Sequence, residues 1–141
     1  MTAFSLLLMV ILGGINNPIY TYEGIGTVFS ANDVYNPNPI NACTHKKLVD
    51  KELVIAHRTL PCGEEVIICN KRNLKCTTAR VADRGPYGTT GNNYTSIVDL
   101  SEGVKNKIEH NGFEEVFILS GIKLEKDKPK KRKNAKDRRV S

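Results

Sequence analysis

The residues best placed to do chemistry lie in one short string, Asp83-Arg84-Gly85-Pro86-Tyr87-Gly88, which follows the β-like run Cys76 to Ala82. The alternation Ala79-Arg80-Val81-Ala82 ends at Asp83, so the carboxyl group stands at a strand terminus. The stiff Gly85-Pro86 turn comes directly after it. A carboxyl fixed at the mouth of a loop can act as a general acid. The same string also fits a purely structural turn, in which Asp83 pairs with Arg84 or caps the loop.

Two further segments add to that signal. Ala56-His57-Arg58-Thr59-Leu60-Pro61-Cys62-Gly63 lies upstream and runs into the strand-like Glu65 to Asn70. Ile97-Val98-Asp99-Leu100-Ser101 lies downstream. In this order and at these intervals, the three segments resemble the double-psi β-barrel domain of the rare lipoprotein A (RlpA) family, the lytic transglycosylase-like proteins of bacterial cell walls. The resemblance runs from about Gly24 to Ile118. Cys43 after Asn41-Ala42, with Cys62 inside Leu-Pro-Cys-Gly, resembles the cysteine-bearing branch of that family, which shades toward barwin and expansin domains.

The resemblance implies a mainly β fold, a six-stranded double-psi barrel with one or two short helices. It implies peptidoglycan glycan strands as the partner, Asp83 as the acid and then the base, and His57 beside it as a hydrogen-bonding partner. A lytic transglycosylase uses the muramic acid 6-hydroxyl as internal nucleophile, so proximity replaces the second carboxylate and its water. His57 equally fits a buried structural histidine fastened to backbone. The resemblance implies neither a cofactor nor a metal, and a monomer is expected. The alternative function is a wall-binding or wall-loosening module that uses the same groove without cutting bonds.

The neighbours of Asp83 divide between binding and structure. Asp99, two residues before a helix N-cap, is expected to bond backbone amides, and it is also a candidate contact for substrate. Arg84 can pair with Asp99 or reach a glycan oxygen or stem-peptide carboxylate. Tyr87 and Tyr94 are candidates for a sugar-stacking edge. The Thr-Ala-x-Gly-Glu stretch common in RlpA-like proteins is replaced here by Asn41-Ala42-Cys43-Thr44-His45-Lys46, so its carboxylate is missing, and Asp33 is the candidate substitute. The stretch 89–95 replaces a shorter, usually arginine-containing link. Asn93-Tyr94-Thr95 also fits a glycosylation sequon.

The elements that must position these groups follow from pattern. Strands are expected over Glu23–Ser30, Glu65–Asn70, Cys76–Ala82 and Glu115–Leu119, with a short strand or turn at Leu53–His57 and a surface loop over Ala31–Asn41. Ser101 is an expected N-cap. Leu100, Val104 and Ile108 share one helical face, and Asn111-Gly112 supplies a stop. No internal repeat is evident.

A chain of 141 residues with 40% hydrophobic content has room for one domain and one core. The net charge of +6 is concentrated at one end: residues 123–141 hold ten Lys and Arg against three Asp and Glu, a net of +7 that leaves −1 for residues 1–122. The expected organisation is a leader or hydrophobic anchor over 1–19, the barrel over 20–122, and a disordered basic tail over 123–141 that can touch a polyanion. The apolar run Phe4 to Leu12 has the length of a signal-peptide core and is too short to span a bilayer as a helix. Secretion or a place in the cell envelope is therefore expected. Nucleic acid is disfavoured, because the tail has no interleaved aromatics.

Four cysteines fit an oxidising compartment. Of three possible pairings, the polar hairpin loop Asn70 to Lys75 favours Cys69 with Cys76, leaving Cys43 with Cys62. The second closure would tie the Asn/Pro-rich loop to the barrel, worth roughly 3 kcal/mol in the loop-entropy account. A zinc site using Cys43, His45, Cys62 and one hairpin cysteine is the competing arrangement.

Overall fold

The computed structural model describes residues 18–34, 36, 38–88 and 96–123. The apolar run Phe4 to Leu12, the stretch 89–95 with Tyr94 and its sequon, and the basic tail beyond Lys123 lie outside the described residues.

Six strands and one helix make up the described chain: β1 (Tyr20–Val28), β2 (Val54–Ala56), β3 (Glu65–Asn70), β4 (Cys76–Asp83), β5 (Ser96–Leu100), α1 (Glu102–Lys107) and β6 (Glu114–Ser120). They close into a barrel in the order β1-β5-β2-β4-β3-β6. The pairs β1–β5 and β2–β4 are parallel and the other neighbours antiparallel, so the barrel is mixed, as the double-psi resemblance implies. Alternation explains the core: Val98 and Leu100 on β5, Val81 on β4, Ile68 on β3 and Val116 and Ile118 on β6 point inward and are fully buried.

Expected and observed boundaries agree to within one residue for β2, β3, β4 and β6 and differ by more than that at two places. The first strand runs Tyr20–Val28 rather than Glu23–Ser30, because β6 continues far enough to pair Tyr20 with Ser120. The helix begins as expected: the Ser101 hydroxyl accepts from the Val104 amide at 3.3 Å, and Val104 and Ile108 are fully buried. It ends at Lys107, short of Asn111-Gly112, and Glu109 turns left-handed with φ 50°. The hairpin between β3 and β4 takes the free carbonyls instead. Asn70 and Asn73 each donate a side-chain N–H to the Ile108 carbonyl, and Arg72 donates to that of Glu109.

Gly103 fixes where the helix sits. A Cβ there would lie 2.6 Å from the Lys51 carbonyl oxygen, so only glycine lets the helix start press against the chain leading into β2. Its own N–H donates to the Asp50 carbonyl at 2.7 Å.

Cys43 is bonded to Cys62 and Cys69 to Cys76, and no cysteine is free for the zinc alternative. Cys69 and Cys76 face each other directly across β3–β4, which is why the hairpin loop brings them together.

Candidate active site

Register builds the site. Asp99 on β5 lies opposite Ala56 on β2, and Ala56 lies opposite Asp83 on β4. On the far side, Thr27 of β1 lies opposite Asp99. Residues directly opposite in a sheet share a face, so Thr27, Asp99, Ala56 and Asp83 form one row across four strands. Val98 and Leu100 face the core, which leaves Asp99 facing away from it.

Two register shifts make the row possible. One falls between Ile55 and Ala56 in the β2–β4 ladder and puts Asp83, rather than Ala82, opposite Ala56. The other falls between Ile25 and Gly26 and puts Thr27 opposite Asp99. A one-residue slip reverses the face of every following side chain, so without the first shift the two carboxyls would lie on opposite faces.

The row opens into a cleft of about 200 Å³ lined by Asp33, Asp83, Arg84, Tyr87 and Asp99, with Phe29 among the apolar residues. All five are residues the sequence singled out, although no sequence signal showed that three carboxyls would share one cavity.

Asp83 is half-buried, and its Oδ1 accepts from the Ala42 amide at 2.7 Å and from the Arg84 amide at 2.8 Å. Asp99 behaves differently. Its carboxyl is pushed above the ordinary range by burial, opposed by the Thr27 hydroxyl that donates to Oδ1 and by Arg58, and reinforced by the charges of Asp83 and Asp33. Among the described residues it bonds no backbone amide, contrary to the expectation for a residue preceding an N-cap. The helix cap is made by Ser101, and register commits Asp99 to Thr27.

His57 is buried just past β2, and its Nδ1 accepts from the Thr59 amide at 3.1 Å and the Leu60 amide at 3.0 Å. An Nδ1 that accepts carries no proton. Burial, then Arg58 and Arg84, hold the ring below its usual pKa. Tyr22 packs edge-on against it, with centroids 5.4 Å apart. Its link to Asp83 runs through backbone, the His57 amide donating to the Asp83 carbonyl at 3.2 Å.

Arg84 donates to the carbonyls of His57 and Leu60, and its Nη2 lies 3.1 Å from Cys62 Sγ. It pairs with neither Asp83 nor Asp99. Tyr87 is exposed at the cleft rim.

Sequence reasoning missed Thr27 and Arg58. The Thr27 hydroxyl also lies 2.8 Å from that of Ser96, whose own O–H reaches the Val98 carbonyl at 2.9 Å. Arg58 donates from Nε to the Pro86 carbonyl at 2.6 Å and from Nη2 to the Ser96 carbonyl at 2.9 Å, clamping the chain as it leaves the cleft and as it enters β5. Its place inside Ala-His-x-x-Leu-Pro was the only available signal.

Comparison with known proteins agrees with the resemblance carried by the motifs. The chain is similar to a probable endolytic peptidoglycan transglycosylase RlpA of Nostoc sp., 31% identical over 83 residues. It is also similar to a protein of the same description from Synechocystis sp., 43% identical over 56 residues. These matches cover 59% and 40% of this chain but only 20% and 16% of the two relatives, so the similarity is to an RlpA-like domain within much longer proteins. No family model matches. Among solved structures, the Streptomyces papain inhibitor superposes with a TM-score of 0.51 over 72% of this chain and 94% of that one; at 16% identity this shows shared fold alone.

Proposed function

We propose that the domain acts on peptidoglycan and cleaves its glycan strands without water, in the cleft where Asp83 and Asp99 face one another across Ala56. The observation that carries this reading is the row itself: two carboxyls on one face, two strands and thus roughly 10 Å apart at the backbone, separated only by a methyl group.

Asp99, its pKa raised by burial and by the charges of Asp83 and Asp33, protonates the glycosidic oxygen. The muramic acid 6-hydroxyl gives its proton to Asp83 while its oxygen attacks C1, so the C1–O bond breaks and a 1,6-anhydro end forms. Proton exchange through solvent then resets the pair. The sequence placed both steps on Asp83; the buried second carboxyl supports sharing them. His57, with Nδ1 committed to two amides, acts by holding the turn that meets Arg84. The two disulfides fit a secreted or envelope setting.

A second reading is a module that binds glycan without cutting it. The two amides on Asp83 Oδ1 favour it, because they give that carboxylate a structural task. Incubation with intact sacculi and with peptide-free glycan strands, followed by mass spectrometry, separates the two. Anhydro-muropeptide formation that disappears in Asp83→Asn and Asp99→Asn supports cleavage. Binding without any such product, in acidic and in neutral buffer alike, defeats it in favour of the module.

A further inference from the structure

The loop that anchors Asp83 is itself held by a disulfide that differs from its counterpart. The Ala42 amide binds Asp83 Oδ1, and the next residue, Cys43, donates its own amide to the Ala82 carbonyl at 3.0 Å. Cys43 is then bonded to Cys62, which is exposed and whose sulfur lies against the Arg84 guanidinium. A cation beside a sulfur stabilises the thiolate formed there on reduction and makes that sulfur the better leaving group. Cys69–Cys76 also has one exposed sulfur, that of Cys76, but Cys69 is buried and no cationic side chain hydrogen-bonds to either sulfur among the described residues, so the Arg84 contact is what sets Cys43–Cys62 apart.

We propose that Cys43–Cys62 is a redox modification site, opened by a dithiol that can close to a cyclic disulfide, and that its opening unfastens the Ala42 loop from Asp83. One thiolate of the dithiol attacks Cys43 Sγ, the S–S bond breaks, and Cys62 leaves as a thiolate paired with Arg84. The second thiol of the reductant then attacks the mixed disulfide and releases Cys43, which takes up a proton. Two electrons pass to the protein, the reductant becomes a disulfide, and one proton goes to solvent. The consequence for activity rests on the glycan-cleaving reading; the chemistry at sulfur and the loop release do not.

The test uses the full chain, oxidised, in buffers of graded reduced and oxidised dithiothreitol, with thiols trapped by iodoacetamide and located by peptide mass mapping. Cys43 and Cys62 become labelled at a dithiol ratio at least about tenfold less reducing than Cys69 and Cys76. Simultaneous opening, or prior opening of the hairpin pair, overturns the proposal. Cys43→Ser isolates the Cys62 thiol, whose alkylation rate rises with a midpoint about one unit or more below the ordinary thiol value of about 8.5, and adding Arg84→Gln returns it. An ordinary midpoint in Cys43→Ser overturns the role of Arg84 even if the double variant fails to fold. Amide exchange at Ala42 speeds up about tenfold or more on reduction, and unchanged protection breaks the link to Asp83. A protein that makes no anhydro product in either redox state defeats the catalytic reading while the labelling and exchange results stand or fall on their own.

Discussion

The two ends of β4 treat carboxyl groups in opposite ways. At its start, around the Asn70–Lys75 hairpin, Glu114 meets Arg72, Glu109 meets Lys75, and Glu23 and Glu115 share Lys71. At its end, Asp83 and Asp99 have no salt bridge among the described residues and share a cleft with Asp33. The Arg72 bond, followed by the Asn111 amide and Asn70, outweighs burial and draws Glu114 down to about 2, and Lys75 draws Glu109 down. Burial pushes Asp99 up. The partner within reach sets the sign: at the hairpin end cations draw the carboxylates down and hold the fold, and at the cleft end burial raises Asp99.

The largest effect is expected from Asp99→Asn. Anhydro-product formation is expected to fall by about a hundredfold or more, as for loss of a general acid. Stability should move the other way. A carboxyl whose folded pKa is raised stabilises the fold fully only below its unfolded value of about 3.9 and loses that contribution as pH rises through the folded value. The variant should therefore melt higher than the parent at neutral pH, with the gap closing below about pH 4. A lower melting temperature at neutral pH would contradict the raised Asp99.

Gly103→Ala tests the corner that carries Asp99. Its Cβ has no room against the Lys51 and Glu52 carbonyls, so urea unfolding should show a loss of about 1–3 kcal/mol. Thr27→Val removes the hydroxyl that opposes the rise at Asp99 while nearly preserving shape. The limb of the pH–rate profile that reports the acid should move to higher pH, and the rate should fall about tenfold, the worth of a hydrogen bond to a charged group. An unmoved limb would make Thr27 a packing residue only.

At the hairpin end, Glu114→Gln should lower stability at neutral pH. Its folded pKa lies below its unfolded one, so its contribution is present above about pH 4.3 and fades as pH falls through about 2. Parent and variant should converge in acid, the reverse of the Asp99 pattern in sign. Lys71→Ala should give the smallest change, because its ion pairs are half-exposed and screened by water and salt; urea midpoints at low and high salt check this.

Much of the scaffold was legible. Alternation marked Glu65–Asn70 and Cys76–Ala82, the polar hairpin loop pointed to Cys69 with Cys76, and Ser101 announced the helix start. The helix end was not legible, because Asn70, Arg72 and Asn73 supply its terminal partners from a loop some 35 residues away. Asp83, Asp99, Arg84 and Tyr87 could be named from motifs and Asp33 from its place in the loop after the first strand, but the relation between them could not.

Periodicity, turn residues and cysteine spacing are local properties, and from them the chain by itself determined a small β domain, its hairpin and a carboxyl at a strand end. Only the closed barrel decided that Asp99 would be the carboxyl raised by burial and bonded to Thr27, and Asp83 the one tied to backbone. That outcome depends on two single-residue register shifts between strands far apart in sequence, each of which turns a side chain from one face of the sheet to the other.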